Sequence, residues 1–408
     1  MKLLFLTPQL PYPPHKGTSM RNLYLMRHLA QHHRIRLLSF LEEDQNAAWV
    51  SRLQALGIQV DMVPAPRRSS RLSRLLTTFF SPQPDMALRL ASAKFADRLR
   101  ALLRENSFAA VQIEGLEMAP YMKVVQEEAP GVLLVLDDHN AEYLLQRRAY
   151  EVARSSVRAW TEALYSFIQW HKLRSYERAA CARAQLVVTV SEPDRRAVES
   201  LGVKTPVAVV PNGIDPEYYA RMGRKETDER RSHILVFTGT MDFRPNVDAM
   251  VWFCHRVLPL IQLQDPRVNL LIVGRNPARA VRWLARASIT VTGAVPDVRN
   301  YLLDAQVYVV PIRIGGGVRF KMLEALASGI PVVSTSLGAE GIAAVPEEHF
   351  LLADDPQTFA QQVMRLLRDP ELAQGLAARG IKLVREHYDW QHIVPHLEEA
   401  YQQCLGLR

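Results

Sequence analysis

The chain has 408 residues, of which 48% are hydrophobic, 23% charged and 8% aromatic. That length predicts two domains, and the composition excludes a disordered, collagen-like or disulfide-stapled chain. Cys181, Cys254 and Cys404 lie far apart without CxxC pairs, which indicates a reducing compartment and argues against a zinc site. No stretch reaches the roughly 18 apolar residues of a membrane span, and Met1–Leu6 is too short for a signal peptide. We therefore expect a cytoplasmic protein, or one that lies peripherally on the inner face of the cytoplasmic membrane.

Positive charge is in excess, with 50 Lys and Arg against 42 Asp and Glu, a formal net charge of +8. The segment Arg67–Arg104 is rich in basic residues, and part of it interleaves arginines with leucines and phenylalanines. Such a segment can lie on an anionic membrane surface, held by its charges and its apolar side. The alternative is a pair of ordinary domain helices whose arginines face water. No nucleic-acid-binding module is evident, so nucleic acid is not an expected partner.

Short apolar runs alternate with longer helical patterns along almost the whole chain. Continuous apolar strands separated by helices predict parallel sheets covered on both faces, and two such series predict two doubly wound, Rossmann-like α/β domains. The strands predicted for the first series are Leu3–Thr7, Arg34–Phe40, Val60–Val63, Ala110–Ile113, Val132–Asp137 and Leu186–Thr189. Those predicted for the second series are Ile234–Thr238, Val268–Val273, Ile289–Val291, Val307–Pro311 and Val332–Thr335.

A turn signal and a polar stretch mark the predicted boundary between the two domains. Val207–Val210 is followed by Pro-Asn-Gly at 211–213 and then by a charge-rich stretch up to residue 233. Two open α/β domains imply a cleft between them, and ligands of such sheets bind beyond the carboxyl ends of the strands. We expect an acceptor-side domain over 1–210, a linker over 211–232, a donor-binding domain over 233–388, and a C-terminal helix over 389–408 that crosses back to the first domain.

In the first half, polar residues that follow strands are the candidates for chemistry. Gly17 stands near a helix start, where it could admit an acceptor hydroxyl or a phosphate oxygen. Asp138 and His139 follow another strand and are expected to face the cleft, although a lone histidine is more often structural. Asn140 is expected to cap the next helix, and Ser191 to cap a later one rather than act as a nucleophile.

The most specific stretch lies at 307–335, where a strand, three glycines and a helix follow one another. Glycine lets backbone N–H groups face a phosphate, and a helix N-terminus adds favourable partial charge. Glu324, one turn further, could accept both hydroxyl hydrogens of a ribose. This order fits a nucleoside diphosphate; the alternative is a flexible loop with a Lys321–Glu324 surface pair. The predicted phosphate-binding residues are Gly315, Gly316, Gly317, Val318 and Arg319, with the cation of Lys321 beside them.

Two further strand ends in the second half carry candidates. After the strand at 234–238, Thr240 is expected at the cleft, and Arg244 is expected in a loop from which it reaches the same phosphates. Asn246 is expected to cap a helix over Val247–Leu260. The alternative makes Arg244 an exposed loop residue. The strand end at 291–297 could hold a nucleobase edge through backbone groups. A glycosidase-like mechanism requires a carboxylate nucleophile close to an acid, and no such pair is apparent at the predicted strand ends.

In their order along essentially the full chain, these motifs resemble the GT-B retaining glycosyltransferases of family 4. They are most similar to the sugar transferases associated with bacterial exopolysaccharide and exosortase systems. The motifs that carry the resemblance are the Gly17 loop, DDHN at 137–140, VVTVSE at 187–192, VVPNGID at 209–215, FTGTMDFRPN at 237–246, LLIVG at 270–274, VTGAVPDV at 291–298 and GGGVRFKMLEALASGIPVVST at 315–335.

This resemblance implies a metal-independent enzyme with no cofactor. It implies transfer of a sugar from a UDP- or GDP-linked donor to a glycan or lipid-linked acceptor, with retention of configuration, in polysaccharide biosynthesis. By position it assigns Arg244 and Lys321 to the donor diphosphate, Glu324 to the ribose, the Ala294 and Val295 backbone to the base, Gly17 to the reacting phosphate, and His139 to the transferred sugar.

The sequence departs from the family pattern at two places. Gly316 stands where the family often has a glutamate that holds the donor sugar, and Pro245 and Asn246 stand where a Lys-Gly turn is usual. Two alternatives therefore accompany the glycosyltransferase hypothesis: a nucleotide-sugar epimerase of the same architecture, and a non-catalytic nucleotide-binding partner subunit. A dehydrogenase is disfavoured, because no G-x-G-x-x-G follows a strand.

Overall fold

A computed structural model describes residues 1–14, 17–42, 48–66, 71–154, 160–220, 233–315 and 320–406. The chain divides into two compact units, one formed by residues 1–212 with 390–408 and the other by residues 213–389. Each unit contains one parallel sheet with helices between its strands, so the predicted pair of Rossmann-like α/β folds is confirmed.

The first unit is built on a seven-stranded parallel sheet with the order β3-β2-β1-β4-β5-β6-β7. The strand order reverses between β1 and β4, and the carboxyl ends of strands beside such a switch point are where open α/β sheets bind ligands. Buried leucine, valine and isoleucine fill these strands, which is why their apolar runs predicted them. The strands are β1 (Lys2–Thr7), β2 (Arg34–Leu41), β3 (Ile58–Pro64), β4 (Ala110–Glu114), β5 (Leu133–Asp138), β6 (Leu186–Thr189) and β7 (Val207–Val209).

Ten helices of the described residues surround this sheet, and a 3-10 helix over Leu116–Tyr121 joins β4 to the next helix. They are α1 (Gly17–Leu29), α2 (Ala48–Gln54), α3 (Arg71–Phe80), α4 (Asp85–Arg89), α5 (Ala93–Glu105), α6 (Met122–Glu128), α7 (Glu142–Ala153), α8 (Trp160–Arg183), α9 (Glu192–Glu199) and, from the chain terminus, α18 (Trp390–Leu405).

The C-terminal helix α18 is an integral part of the first unit, as predicted. Its Trp390 and Tyr401 are fully buried, and the Trp390 ring stacks on Tyr24 of α1 with ring centroids 5.5 Å apart. The Tyr401 hydroxyl donates to the Gln112 side chain of β4. The end of the chain therefore completes the core of the unit that its beginning forms.

The second unit has a six-stranded parallel sheet with the order β10-β9-β8-β11-β12-β13. Its switch point lies at β8, between β9 and β11. The strands are β8 (Ile234–Thr238), β9 (Asn269–Val273), β10 (Ile289–Val291), β11 (Val307–Val310), β12 (Val332–Ser334) and β13 (Leu351–Leu352). The two-residue edge strand β13 was not predicted, because so short a run carries no periodic signal.

One helical run in this unit begins earlier than predicted. Arg244 is the first residue of α11 rather than a loop residue, and a π-helical turn over Phe253–Val257 joins α11 to α12. The helices are α10 (Pro216–Ala220), α11 (Arg244–Trp252), α12 (Leu258–Gln264), α13 (Arg279–Arg282), α14 (Arg299–Leu302), α15 (Phe320–Ala327), α16 (Pro356–Arg368) and α17 (Pro370–His387). Within the described parts of both units, no helix is long and apolar enough to cross a bilayer.

Candidate functional site

In the second unit, the predicted donor-binding residues stand on elements that follow the switch point of the sheet. Lys321 and Glu324 lie on α15, which follows β11, and Thr240 and Arg244 follow β8. Gly315 has a φ of 126°, in the region that favours glycine. Gly316, Gly317, Val318 and Arg319, predicted to bind phosphate, lie outside the described residues.

A hydrogen-bonded asparagine holds Lys321. Lys321 Nζ donates to Asn246 Oδ1, and Asn246 Nδ2 donates to the Thr240 carbonyl at 2.8 Å. The ammonium also lies 4.8 Å from the centroid of the Phe237 ring. Asn246 was predicted to cap the helix, but α11 begins two residues before it and its buried amide instead connects the β8 end to α15.

Two glycines allow the backbone to pack tightly beside this lysine. Gly239 and Gly274 have φ values of 148° and 151°, and each follows a strand of the sheet. A Cβ on Gly239 would lie 2.7 Å from Asn246 Nδ2, and one on Gly274 only 1.7 Å from the Gly239 carbonyl oxygen. Side chains at these two positions would therefore displace the loop that carries Thr240.

Three hydroxyl groups surround the Glu324 carboxylate. Tyr219 of α10 donates to Oε1 at 2.9 Å, while Thr238 and Tyr308 lie 2.5 and 3.2 Å from Oε2. Burial raises the pKa of the Tyr219 and Tyr308 hydroxyls well above their ordinary value, and the Glu324 charge adds to this shift, so both remain donors. A carboxylate has about four acceptor positions. Glu324 is thus held as a fixed acceptor in a hydroxyl-rich surrounding.

The predicted base-binding residues lie in a loop after β10. Ala294 is exposed and Val295 is half-buried. Two residues beyond them, Asp297 accepts hydrogen bonds from the backbone and guanidinium of Arg299, and these bonds lower the pKa of Asp297. The Arg299 guanidinium carbon lies 3.9 Å from the centroid of the Tyr218 ring. The loop therefore ends beside a cation–aromatic pair whose tyrosine is exposed and whose arginine is half-buried.

In the first unit, His139 faces a buried carboxylate that was not among the predicted residues. His139 Nε2 and Glu114 Oε2 are 2.8 Å apart, and Glu114 is completely buried at the carboxyl end of β4. Glu114 and Asp137 occupy paired register positions of β4 and β5. Polar residues that end neighbouring parallel strands were the signal that would have identified Glu114.

Arg21 of α1 neutralises much of this negative charge. Its guanidinium donates to Asp137 through Nε at 2.9 Å and Nη2 at 3.2 Å, and its Nη1 donates to the Val210 carbonyl at 2.9 Å. Ligand atoms of Glu114, Asp137 and His139 lie within 4.8 Å of one another, as they would around a metal ion. The fixed guanidinium already supplies the positive charge there, so the donor set fits an ion-pair network better than a metal site.

Asp138, predicted at the cleft, is buried in a second carboxyl cluster. Its side chain is 1% exposed, and burial together with the charge of Glu177 raises its pKa well above the ordinary value. Burial also raises the pKa of Glu177 to about 8 and that of Glu142 to about 7. Asp138 therefore lies in the interior of the first unit and does not present its carboxyl group to solvent.

The helix that follows His139 is capped by a residue far away in sequence. The backbone amides of Glu142 and Tyr143 donate to Glu177 at 3.2 and 2.9 Å, so a carboxyl group of α8 satisfies the N-terminus of α7. The N-cap position of α7 is occupied by Ala141 and not by the predicted Asn140. The predicted cap at Ser191 is confirmed, because its side chain accepts from the Asp194 amide. Gly17 is the first residue of α1.

Two family models match the chain. The model described as "Glycosyltransferase Family 4" matches residues 16–218, and the model described as "Glycosyl transferases group 1" matches residues 232–369. A phosphatidyl-myo-inositol mannosyltransferase of Mycobacterium tuberculosis is 28% identical over 54% of this chain and 60% of its own length. An uncharacterised 44.6 kDa protein in the cps region of Klebsiella pneumoniae is 23% identical over 38% of this chain and 42% of its own length. The chain thus spans about two to three fifths of the length of these curated relatives.

Solved structures share the fold over the whole chain. Sucrose-phosphate synthase of Thermosynechococcus elongatus superposes with a TM-score of 0.72 at 17% identity, covering 100% of both chains. HepE of Anabaena in complex with UDP superposes with a TM-score of 0.67 at 13% identity, covering 99% of this chain and 100% of that one. At such low identity these likenesses establish the fold alone. The family rests on the two family models, which together cover most of the sequence: the chain belongs to the glycosyltransferases, with a family 4 model over its first half and a group 1 model over its second.

Proposed function

We propose that this protein transfers a sugar from a UDP- or GDP-linked donor to a glycan or lipid-linked acceptor, with retention of configuration, in polysaccharide biosynthesis. The observation that carries the proposal is the arrangement on α15. Lys321 is held by Asn246 at the start of the helix, and Glu324 follows one turn later among three hydroxyls. A cation and a fixed hydrogen-bond acceptor one helical turn apart suit a diphosphate followed by a ribose.

The proposed chemistry requires stabilisation of a departing diphosphate. Lys321 and Arg244 would take the negative charge that develops on the leaving group, together with backbone amides before α15, without a divalent ion. Glu324 would accept ribose hydroxyls, the Ala294 and Val295 backbone would contact the base, and Gly17 would lie against the reacting phosphate. We favour a same-face route, in which the acceptor hydroxyl gives its proton to the leaving phosphate, since this route needs no nucleophilic carboxylate.

Relatives support the choice of donor and acceptor classes. HepE of Anabaena was solved with UDP, with UDP and glucose, and with UDP-glucose, which favours a nucleoside diphosphate sugar here. The mycobacterial relatives are named as phosphatidyl-myo-inositol mannosyltransferases, which favours a lipid-linked acceptor. The relative encoded in a capsule region favours a role in polysaccharide synthesis.

A lipid-linked acceptor fits a protein that lies on the inner face of the cytoplasmic membrane, and two helices of the first unit carry suitable side chains. Lys172 of α8 donates to the Thr78 carbonyl of α3 at 2.7 Å, so the two helices are neighbours. Arg67 and Arg68, part of the predicted basic segment Arg67–Arg104, lie outside the described residues. Large apolar side chains exposed on α3 and α8 are Leu76, Phe79, Phe80, Trp160, Leu164, Tyr165 and Phe167.

The test combines donor binding with the stereochemistry of cleavage. The protein is heated with each of a panel including UDP-glucose, UDP-galactose and GDP-mannose, and we expect one donor to raise its unfolding temperature. Proton NMR during cleavage of that donor, with EDTA present, is expected to show release of the sugar in its original anomeric configuration. Stabilisation by none of the donors, or first appearance of the opposite anomer, would overturn the proposal.

A further inference from the structure

Glu114 and His139 form a close, largely buried polar contact at the strand ends of the first unit. Their 2.8 Å contact joins Glu114 Oε2 to His139 Nε2, and the His139 side chain is 14% exposed while Glu114 is fully buried. A histidine with one nitrogen against a buried carboxylate has its ring orientation fixed. The other nitrogen, Nδ1, is then the atom available to a ligand.

Glu114 is itself fixed by donors on every side. Gln112 Nε2 donates to Oε1 at 2.7 Å. The Asn22 side-chain amide, in the orientation that suits its neighbours, donates to Oε2 at 2.7 Å. The Gln112 amide oxygen in turn accepts from the buried Tyr401 hydroxyl of α18. Because each of these groups is buried, the carboxylate cannot turn away from His139 without leaving a donor unsatisfied.

Gly115 lies beside the side of the His139 ring opposite Glu114, at ordinary van der Waals distance. Gly115 has a φ of 83°, and its amide donates to the Asp137 carbonyl at 2.9 Å. A Cβ on Gly115 would lie 3.8 Å from His139 Nδ1, so the ring lies directly over this residue. Within the described part of the chain, Nδ1 has no hydrogen-bond partner.

We propose that Glu114 is a positioning residue that keeps a proton on His139 Nε2, so that His139 gains and loses its second proton at Nδ1, the atom presented to the transferred sugar. The part of this inference that concerns the transferred sugar rests on the proposed function. The position of the proton on the His139 ring does not depend on the proposed function. When His139 is neutral, Nδ1 accepts a hydrogen bond, and when it is charged, Nδ1 donates one.

The charges around the ring agree with this assignment. Burial alone would lower the pKa of His139, but the carboxylates of Asp137 and Glu114 raise it overall, against a smaller opposing effect of Arg21. Glu142 is the other charged neighbour, since His139 lowers its pKa. Removing the Glu114 charge should therefore lower the pKa of His139.

The test uses the full chain labelled with ¹⁵N-histidine, with the His139 resonances assigned by their loss in His139→Asn. In the wild type we expect the neutral ring to carry its proton on Nε2 and its pKa to lie above that of an ordinary histidine. In Glu114→Gln we expect the pKa to fall and the Nδ1-protonated tautomer to appear. Glu114→Asp, which retains the charge, provides a second variant if the first does not fold, and is expected to retain a raised pKa. Glu117→Gln, whose glutamate pairs with Arg89 instead, is the control.

A wild-type ring protonated on Nδ1 when neutral, a His139 pKa that Glu114→Gln leaves unchanged, or a His139 pKa that Glu114→Asp lowers to the ordinary value would overturn the inference. A second readout is the rate of UDP-glucose and GDP-mannose cleavage as a function of pH. The part of this curve that reports the titration of His139 should shift to lower pH in Glu114→Gln. If neither donor is cleaved by the wild type, the proposed function fails while the NMR result still decides the pairing.

Discussion

Lys321 Nζ donates to Asn246 Oδ1 and thereby joins the first turn of α15 to the first turn of α11. Asn246 also donates to the Thr240 carbonyl, so one buried amide fixes the lysine and the loop after β8 together. An amide oxygen orients an ammonium without neutralising its charge, as a carboxylate would. Asn246 therefore orients the lysine without itself carrying a countercharge.

Replacing Asn246 should lower both stability and phosphate affinity. Asn246→Ala leaves the Thr240 carbonyl and Lys321 without this partner, and we expect the free energy of unfolding to fall by about 1–3 kcal/mol. Thermal unfolding measures this, with Asn300→Ala, at an exposed position, as the control. Equal unfolding temperatures for the two variants would show that Asn246 does not organise this region.

The close approach of Gly274 to Gly239 predicts a large steric effect. Gly274→Ala places a methyl group on the Gly239 carbonyl, so we expect the second unit to unfold or become insoluble. Gly293 also has positive φ, but nothing lies within 4 Å of its Cβ position, and Gly293→Ala should cost only about 1 kcal/mol. Similar solubility and unfolding temperatures for both variants would contradict the packing described at β8.

The buried Glu177 carboxyl predicts a stability that declines with pH. Burial raises its pKa to about 8, so between its ordinary pKa and about 8 the folded state holds a proton that the unfolded state has lost. Stability therefore decreases as pH rises through this interval. We expect the unfolding temperature to fall less steeply from about pH 5 to about pH 8 in Glu177→Gln than in the wild type.

Glu162→Gln, on the exposed surface of the same helix, is the control for that measurement and should follow the wild-type curve. Parallel curves for all three proteins would mean that Glu177 is ionised throughout this range in the folded state.

The exposed aromatic side chains of α3 predict binding to anionic vesicles. Replacing Phe79 and Phe80 together with serine should reduce cosedimentation with phosphatidylglycerol vesicles by about tenfold, because both side chains are more than half exposed. Trp283→Ser, at a similarly exposed position in the second unit, should bind like the wild type.

Changing Arg67, Arg68, Arg71 and Arg74 to serine tests the arginines of the predicted basic segment Arg67–Arg104, and we expect binding to anionic vesicles to fail. Vesicle binding that persists in both sets of variants would remove this surface from the account.

Much of the fold was predictable because buried parallel strands appear in the sequence as short runs of apolar residues. The side-chain networks were not, since they join residues distant in sequence. Glu177 caps a helix that begins 35 residues earlier, and Tyr401 reaches Gln112 from the far end of the chain. A local pattern favoured Asn140 as the cap, and tertiary packing placed the buried carboxyl group of Glu177 there instead.

Site residues that belong to a recognisable loop motif could be predicted from the sequence. Site residues at the buried end of a strand could not. Lys321 and Glu324 belong to a glycine-rich motif that indicates phosphate binding from sequence alone. Glu114 belongs to no such motif, and its only signal is its place at the end of a strand, while Thr238 and Tyr308 look like ordinary strand residues. Their roles emerge only when the strand order brings β4 beside β5 and β8 beside β11.

The central claim is that the second unit binds a nucleoside diphosphate through α15. Isothermal titration of UDP and GDP into the wild type, Lys321→Ala and the control Lys382→Ala, whose lysine is exposed on α17, tests it most directly. We expect one nucleotide to bind the wild type and Lys382→Ala equally, and Lys321→Ala at least about tenfold more weakly. Absence of binding to the wild type, or equal affinity in all three proteins, would contradict the claim.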